Sequence, residues 1–286
     1  MLDRLLVFIP CYNCERQIPR VLRQLESLPA GLVDEVLVID NGSADGTVAA
    51  ARAGIARLGE LPAKLVVNDE NYGLGGSHKA AFAYAARNGF AHVVVLHGDD
   101  QGHIDDLVDI LASGDHRRFD ACLGSRFMPG AQPIGYSRLR LFGNHVFNLI
   151  FSAVAGAPIY DLGSGLNVFA RSVFTDPALI GCADDLRFNV FLLLRLIYTD
   201  RRIIFFPISW REEDQISNVR IVSQALRTLK IASDYLLRRA RFWTVDHRDT
   251  PRPAYGFQLV DEHAPPVQGL HSLTRRAAGA AVMQRA

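Results

Sequence analysis

Four short apolar runs, each stopped by a turn-forming or polar cluster, constrain the fold most. Residues 5–9 run into Pro10, and residues 33–39 run into Asp40-Asn41-Gly42-Ser43. Residues 64–67 and 92–96 repeat the pattern, and the stretches between carry helical spacing, as in Ile18, Val21, Leu22 and Leu25, and again over residues 80–86. Strand and helix in alternation predict a mostly parallel, twisted α/β sheet flanked by helices. Residues 121–123, 166–169 and 202–206 extend it. Ligands of such sheets bind outside the carboxyl ends of the strands, so the polar residues after each run are the candidate site.

Composition narrows the partners. With 49% hydrophobic and 21% charged residues over 286 positions, the chain is globular rather than disordered. Lys plus Arg is 31 against 30 for Asp plus Glu, which gives no overall attraction to nucleic acid. Four cysteines are too few for a disulfide scaffold, and no signal-peptide layout opens the chain, so the expected compartment is the cytoplasm. The most membrane-like stretch, residues 141–159, is interrupted by Asn144, His145 and Asn148, and no spanning segment is expected. Residues 219–243 predict one long helix carrying Arg220, Arg227, Lys230, Arg238, Arg239 and Arg241 against the single acid Asp234. Pro251, Pro253, Pro265 and Pro266 then suggest an extended or flexible tail. The expected division is a catalytic domain over 1–217, a basic helical appendage over 218–250 and a tail over 251–286.

The strand ends read Ile9-Pro10-Cys11-Tyr12-Asn13, then Val38-Ile39-Asp40-Asn41-Gly42-Ser43-Ala44-Asp45-Gly46-Thr47, then Leu96-His97-Gly98-Asp99-Asp100-Gln101. Asn71-Tyr72-Gly73-Leu74-Gly75-Gly76-Ser77 opens a helix, and Gly124-Ser125-Arg126, Asp161-Leu162-Gly163-Ser164-Gly165 and Pro207-Ile208-Ser209-Trp210-Arg211 follow. In this order the motifs resemble the inverting nucleotide-sugar glycosyltransferases of family 2 with the GT-A fold. Within them they are most similar to the polyprenyl-phosphate sugar transferases, the branch containing dolichyl-phosphate mannose synthase. The resemblance covers roughly residues 4–220.

It implies a donor pocket in which the Asp40 carboxylate accepts hydrogen bonds from a nucleobase or ribose, lined by Pro10, Tyr12 and Asn13. Asn41 stands where a second Asp is usual, which keeps a hydrogen-bonding side chain and removes a charge. Gly73, Gly75 and Gly76 precede a helix whose backbone amides could approach a phosphate; a plain strand-to-helix connection is the alternative. Lys79, on the first turn, is either a phosphate ligand or a solvated charge. The metal-binding Asp-x-Asp signature reads His97-Gly98-Asp99, so Asp99 is expected as the main ligand for Mg²⁺ or Mn²⁺, and imidazole at 97 suits Mn²⁺ better. His97 is otherwise a nucleotide contact or a buried strand-end histidine, and Asp100 is expected to point elsewhere.

Asp161 is implied as the acceptor-side carboxylate. It would be the base for a hydroxyl acceptor, but mainly an orienting group for a phosphate, whose oxyanion needs no deprotonation. Arg126, Arg211 and Arg220 are candidate diphosphate or acceptor-phosphate ligands. Cys11 and Cys14 fit C-x-x-C without the second pair a zinc site needs. Residues 137–158 combine Arg138 and Arg140 with Leu139, Phe142, Phe147 and Phe151, a pattern suited to a bilayer interface or to ordinary core packing.

The expected activity is hexose transfer from a nucleotide-diphosphate sugar to a polyprenyl phosphate or other lipid-linked acceptor, at the inner face of the membrane. Transfer to a soluble saccharide hydroxyl, or an inactive nucleotide-sugar-binding subunit, are the alternatives, the second motivated by Asn41 and His97.

Overall fold

The computed structural model describes residues 3–26, 28–212 and 221–264. In chain order the elements are β1 (Leu5–Cys11), α1 (Ile18–Leu25), β2 (Glu35–Asp40), α2 (Thr47–Ile55), β3 (Ala63–Asn68), α3 (Gly73–Arg87), β4 (His92–Leu96) and α4 (Asp105–Ala112). They continue as β5 (Ala121–Ser125), β6 (Gln132–Ile134), α5 (Arg138–Ala155), β7 (Leu166–Ala170), α6 (Arg171–Phe174), α7 (Phe188–Tyr198), β8 (Ile203–Pro207), β9 (Ser209–Arg211), α8 (Ile221–Leu237), α9 (Arg239–Phe242) and β10 (Phe257–His263).

Eight strands form one sheet in the order β10-β3-β2-β1-β4-β7-β5-β8, with β7 and β10 antiparallel to their neighbours. Every residue of β1, β2 and β4 is buried, because helices cover both faces. Side chains alternate between two cores: Leu6 and Phe8 join one, Leu5, Val7 and Ile9 the other. β2 and β3 lie on one side of β1 and β4 on the other, so the chain reverses its direction of travel between β1 and β4. A crevice opens there at the carboxyl edge. β7 runs the opposite way, which brings the Asp161–Gly165 segment before it to that same edge.

The C-terminal part departs from expectation. The long basic helix is two, because Arg238 leaves helical geometry at φ −138° and ψ 37°. α8 is no appendage: Ile231, Ala232 and Tyr235 are buried in the core shared with α3, α5 and α7. Nor is the tail extended throughout. Phe257–His263 pairs antiparallel with β3, Phe257 opposite Asn68 and His263 opposite Ala63. Tyr255 anchors it, its hydroxyl donating to Asp184 Oδ1 at 2.6 Å. Proline-rich flanks hid this strand, and its pairing partners lie 189 to 200 positions earlier.

Among the described residues no helix is long and apolar enough to cross a membrane. α5 starts at Ser137, whose Oγ accepts from Arg140 N–H, and stops at Gly156, which takes the left-handed conformation at φ 76°. Asn148, Phe151 and Ala155 face inward. Leu139, Phe142 and Leu149 are exposed at 80%, 66% and 71%. Leu226, Leu236 and Leu237 of the adjacent α8 are also exposed.

Candidate active site

The loops after β1 and β2 are stitched together. Asn13, at φ 49°, donates its N–H to Ser43 Oγ (2.9 Å) and accepts from Ala44 N–H at Oδ1 (2.9 Å). Cys14 N–H donates to Thr47 Oγ1 (2.8 Å). Tyr12 stands exposed above this seam, while Pro10 stays in the strand and gives its carbonyl to Gly98 N–H (3.1 Å). Asp40 is buried and largely engaged by its own turn: Oδ2 accepts from Gly42 N–H (3.0 Å) and Ser43 N–H (2.9 Å), Oδ1 from Ser43 Oγ (2.5 Å). Its remaining lone-pair capacity is what a nucleoside could meet. Asn41 explains its own presence. Its Nδ2 donates to Asn71 Oδ1 (2.8 Å), while its Oδ1 accepts from Asn68 Nδ2 (2.8 Å) and Tyr72 N–H (2.9 Å). A carboxylate could not supply the donor.

The end of β4 forms the floor. Gly98 is required there, since a Cβ would lie 2.7 Å from Cys11 Sγ and 2.9 Å from the Pro10 carbonyl. Cys11 and Cys14 are buried thiols, and the hydrogen bond between them, with burial, raises Cys11 well above its usual pKa. Asp100 turns away to Arg20 Nε (2.5 Å) and Gln24 Nε2 (2.9 Å). Asp99 stays in the crevice, accepts only a long bond from Gln101 N–H (3.3 Å), and has no paired cation among the described residues. Burial therefore pushes its carboxyl up to about 6. His97 holds its strand through N–H to the Gly165 carbonyl (2.9 Å), and its ring Nε2 is buried without a partner among the described residues. Burial, and then the charge of Arg126, bring this imidazole down to about 4, so it is neutral at pH 7. A carboxylate and a neutral imidazole, both unsatisfied, suit a divalent cation with borderline preference.

Across the crevice Asp161 is saturated. Arg126 grips it bidentately, Nε to Oδ2 and Nη2 to Oδ1, both at 2.8 Å, and Arg126 N–H (3.0 Å) and Gly163 N–H (3.1 Å) donate as well. Arg126 also reaches the Gly163 carbonyl (2.9 Å) and Tyr136 OH (3.2 Å) and lies over the Trp210 ring. Burial alone would lower the guanidinium pKa, but Asp161 outweighs it. These two expected site residues thus face each other: Asp161 has no room to act as a base, and Arg126 is not a free phosphate ligand. Arg211 remains an exposed guanidinium on the rim with no ion pair among the described residues. Arg220 lies outside them.

Two further expectations are corrected. Lys79 is neither solvated nor open to phosphate, because its ammonium donates to the Cys182 carbonyl (2.6 Å), Asp184 Oδ1 (2.7 Å) and Tyr255 OH (3.2 Å). In the glycine turn the Gly73 N–H is taken by Asn71 Oδ1 (3.0 Å) and the Gly76 N–H by the Asp184 carbonyl (3.1 Å), so neither amide is open to an anion. A Cβ on Gly73 would come within 2.5 Å of the Asp184 carbonyl, and one on Gly75 within 2.6 Å of the Ala183 carbonyl, so the segment before α7 fills that space. Tyr136 and Trp210 were missed as members of the site. Trp210 stood within a quoted motif, whereas nothing local to Tyr136 reveals its bond to Arg126.

The profile of the Glycosyl transferase family 2 matches residues 6–176, the stretch that carries β1 to β7 and the site residues Asp40, His97, Asp99, Arg126 and Asp161. The chain belongs to glycosyl transferase family 2. Among curated relatives of this glycosyltransferase, the polyprenol monophosphomannose synthase of Mycolicibacterium smegmatis is 26% identical over 213 residues, 74% of this chain and 79% of that one. The dolichyl-phosphate hexose transferase of Haloferax volcanii is 28% identical over 73% of this chain and 84% of its own. The glycosyltransferase shares its fold with Mycobacterium tuberculosis glucosyl-3-phosphoglycerate synthase, solved with Mn²⁺ and UDP-glucose, at a TM-score of 0.59 and 17% identity over 92% of this chain and 90% of that one.

Proposed function

We propose that this glycosyltransferase moves a hexose, with inversion, from a nucleotide-diphosphate sugar to a polyprenyl phosphate. The saturation of Asp161 carries the choice of acceptor. A hydroxyl acceptor needs a base beside it, and the acceptor-side carboxylate is held by Arg126 and two backbone amides. A phosphate acceptor already carries its nucleophilic oxygen, since its second pKa is about 6. Its oxygen forms the new bond to the sugar's anomeric carbon, the bond to the donor diphosphate breaks, and the nucleoside diphosphate leaves with the electron pair.

In this reading Asp99 and His97 would hold a divalent cation, Mn²⁺ in preference to Mg²⁺, which would supply positive charge to offset that developing on the leaving diphosphate. Tyr12, Asn13 and Asp40 contact the nucleoside, Gly98 keeps the floor low enough for it, and Arg211 meets a phosphate from the rim. Asp161 positions Arg126, and with it the Gly163 turn, on the acceptor side.

The lipid acceptor also accounts for the exposed apolar face of α5 and α8. Leu139, Phe142 and Leu149 of α5 and Leu226, Leu236 and Leu237 of α8 are exposed apolar side chains on two helices in contact, which a soluble acceptor does not explain, and Arg138, Arg238, Arg239 and Arg241, on or beside these helices, are exposed as well. Apolar side chains beneath and arginines at the headgroups fit an anionic bilayer interface. The similarity to two transferases named for polyprenol and dolichyl phosphate supports the same acceptor class.

The test incubates the protein with UDP-, GDP- or dTDP-hexoses, Mn²⁺ and a polyprenyl phosphate in anionic vesicles, and follows sugar in the lipid phase. Transfer to lipid phosphate is expected. Transfer to soluble hydroxyl acceptors alone would overturn the proposal.

A further inference from the structure

At the opposite end of the sheet from the crevice, three metal-ligating side chains from separate parts of the chain converge. Asp3 precedes β1, His92 opens β4 directly across from Leu5, and His116 lies in the short turn Asp115–Arg118 after α4. One ligand atom from each lies within 4.8 Å of the other two. The imidazoles meet edge to face with centroids 4.8 Å apart.

The surroundings hold the three groups together without satisfying all of their ligand atoms. His92 is buried, and its Nδ1 sits 3.2 Å from Asp3 Oδ1 without an aligned hydrogen bond. His116 Nδ1 lies 3.3 Å from the Ile110 carbonyl, which can only accept; the proton therefore sits on Nδ1, and Nε2 has no hydrogen-bond partner among the described residues. Arg117 Nε pairs with the other oxygen of Asp3, leaving Oδ1 to face His92. A carbonyl behind one histidine and an arginine behind the carboxylate are the outer partners that orient metal ligands. Burial also lowers the pKa of both rings, favouring the neutral, ligating form.

We infer that Asp3, His92 and His116 bind a Zn²⁺-class divalent ion, separate from the cation of the catalytic crevice. Two imidazoles and one carboxylate match zinc better than magnesium, which prefers six oxygens. Zinc bonds of about 2.0–2.1 Å put tetrahedral ligands about 3.3 Å apart, so side-chain shifts of about an ångström complete the set. Asp3, partly exposed, leaves the fourth position to water. At about 3.3 Å per residue the length of β1 separates this site from the crevice by roughly 20 Å. The ion ties the start of β1 to β4 and to the connection between α4 and β5.

The test uses the metal-stripped full-length chain carrying His97→Ala and Asp99→Asn, which removes the crevice ligands. Calorimetric titration with ZnCl₂ is expected to show one equivalent bound, and Zn²⁺ to raise the melting temperature. Asp3→Asn, at a partly exposed position, and His116→Gln, which retains a donor for the Ile110 carbonyl, each weaken binding at least tenfold. The Co²⁺-loaded protein shows ligand-field bands without thiolate charge transfer, which separates this site from Cys11 and Cys14. No Zn²⁺ binding, binding indifferent to both substitutions, or a thiolate band would overturn the inference.

Discussion

Two carboxylates at one edge of the sheet, Asp99 and Asp161, live in opposite surroundings. Both are largely shielded from water. Asp161 has a bidentate guanidinium and two amide donors; Asp99 has, among the described residues, one long backbone bond, and its pKa rises to about 6. Burial without compensation persists in a folded protein where something else supplies the missing partner, and burial with full compensation marks a group that shapes the site. In the proposed reading the difference makes Asp99 the metal ligand and Asp161 part of the site's architecture.

The sharpest way to break this contrast is to neutralise each acid in turn. Asp99→Asn is expected to lower transfer by about 10²-fold or more while leaving the melting temperature unchanged or higher, since a costly buried charge is gone. Turnover assays and thermal melts on one preparation check both halves. Arg126→Ala should do the reverse in emphasis, destabilising the fold by about 3–5 kcal/mol in denaturant titration because Asp161 is left buried and unpaired. An Arg126→Ala protein of wild-type stability would remove the distinction.

Smaller effects refine it. Asn41→Asp removes the donor to Asn71 and should cost about 1–3 kcal/mol, readable as a shift in the urea midpoint. His97→Asp should move the metal preference from Mn²⁺ toward Mg²⁺ by about tenfold in the ratio of calorimetric affinities, about 1.4 kcal/mol.

The pH dependence has a definite sign. The folded pKa of Asp99 lies above its unfolded value, so its contribution favours the fold below pH about 4 and is lost as pH rises through about 6. Mn²⁺ needs the carboxylate, so its affinity should fall as pH drops below about 6. Calorimetry at pH 5.5 and 7.5 measures the change; equal affinities would count against Asp99 as the ligand.

Strand ends were legible because their signals are local: a buried strand stops at a polar cluster, and parallel alternation sends those clusters to one edge. Pairing across the chain was not. Arg126 meets Asp161 35 residues on, and Lys79 meets Asp184 105 residues on. No periodicity reports such distances, so the sequence left Lys79 between phosphate ligand and solvated charge, and Asp161 between base and orienting group. Glycines misled for a related reason. The space beside Gly73 and Gly75 is real, but another backbone segment occupies it. Asp100 was easier, since it follows the carboxylate that remains at the floor.

The last described strand has a bearing on handling as well as on topology. Without β10 the hydrogen-bonding rim of β3 would lie open along Ala63–Asn68, a ready template for another chain. β10 covers it and presents a less adhesive border in exchange: its register shifts between Leu259 and Asp261, and Gln258, Asp261, Glu262 and His263 lie along it. A version trimmed just before Tyr255 would lose this guard, and would trade a defended border for an aggregation-prone one.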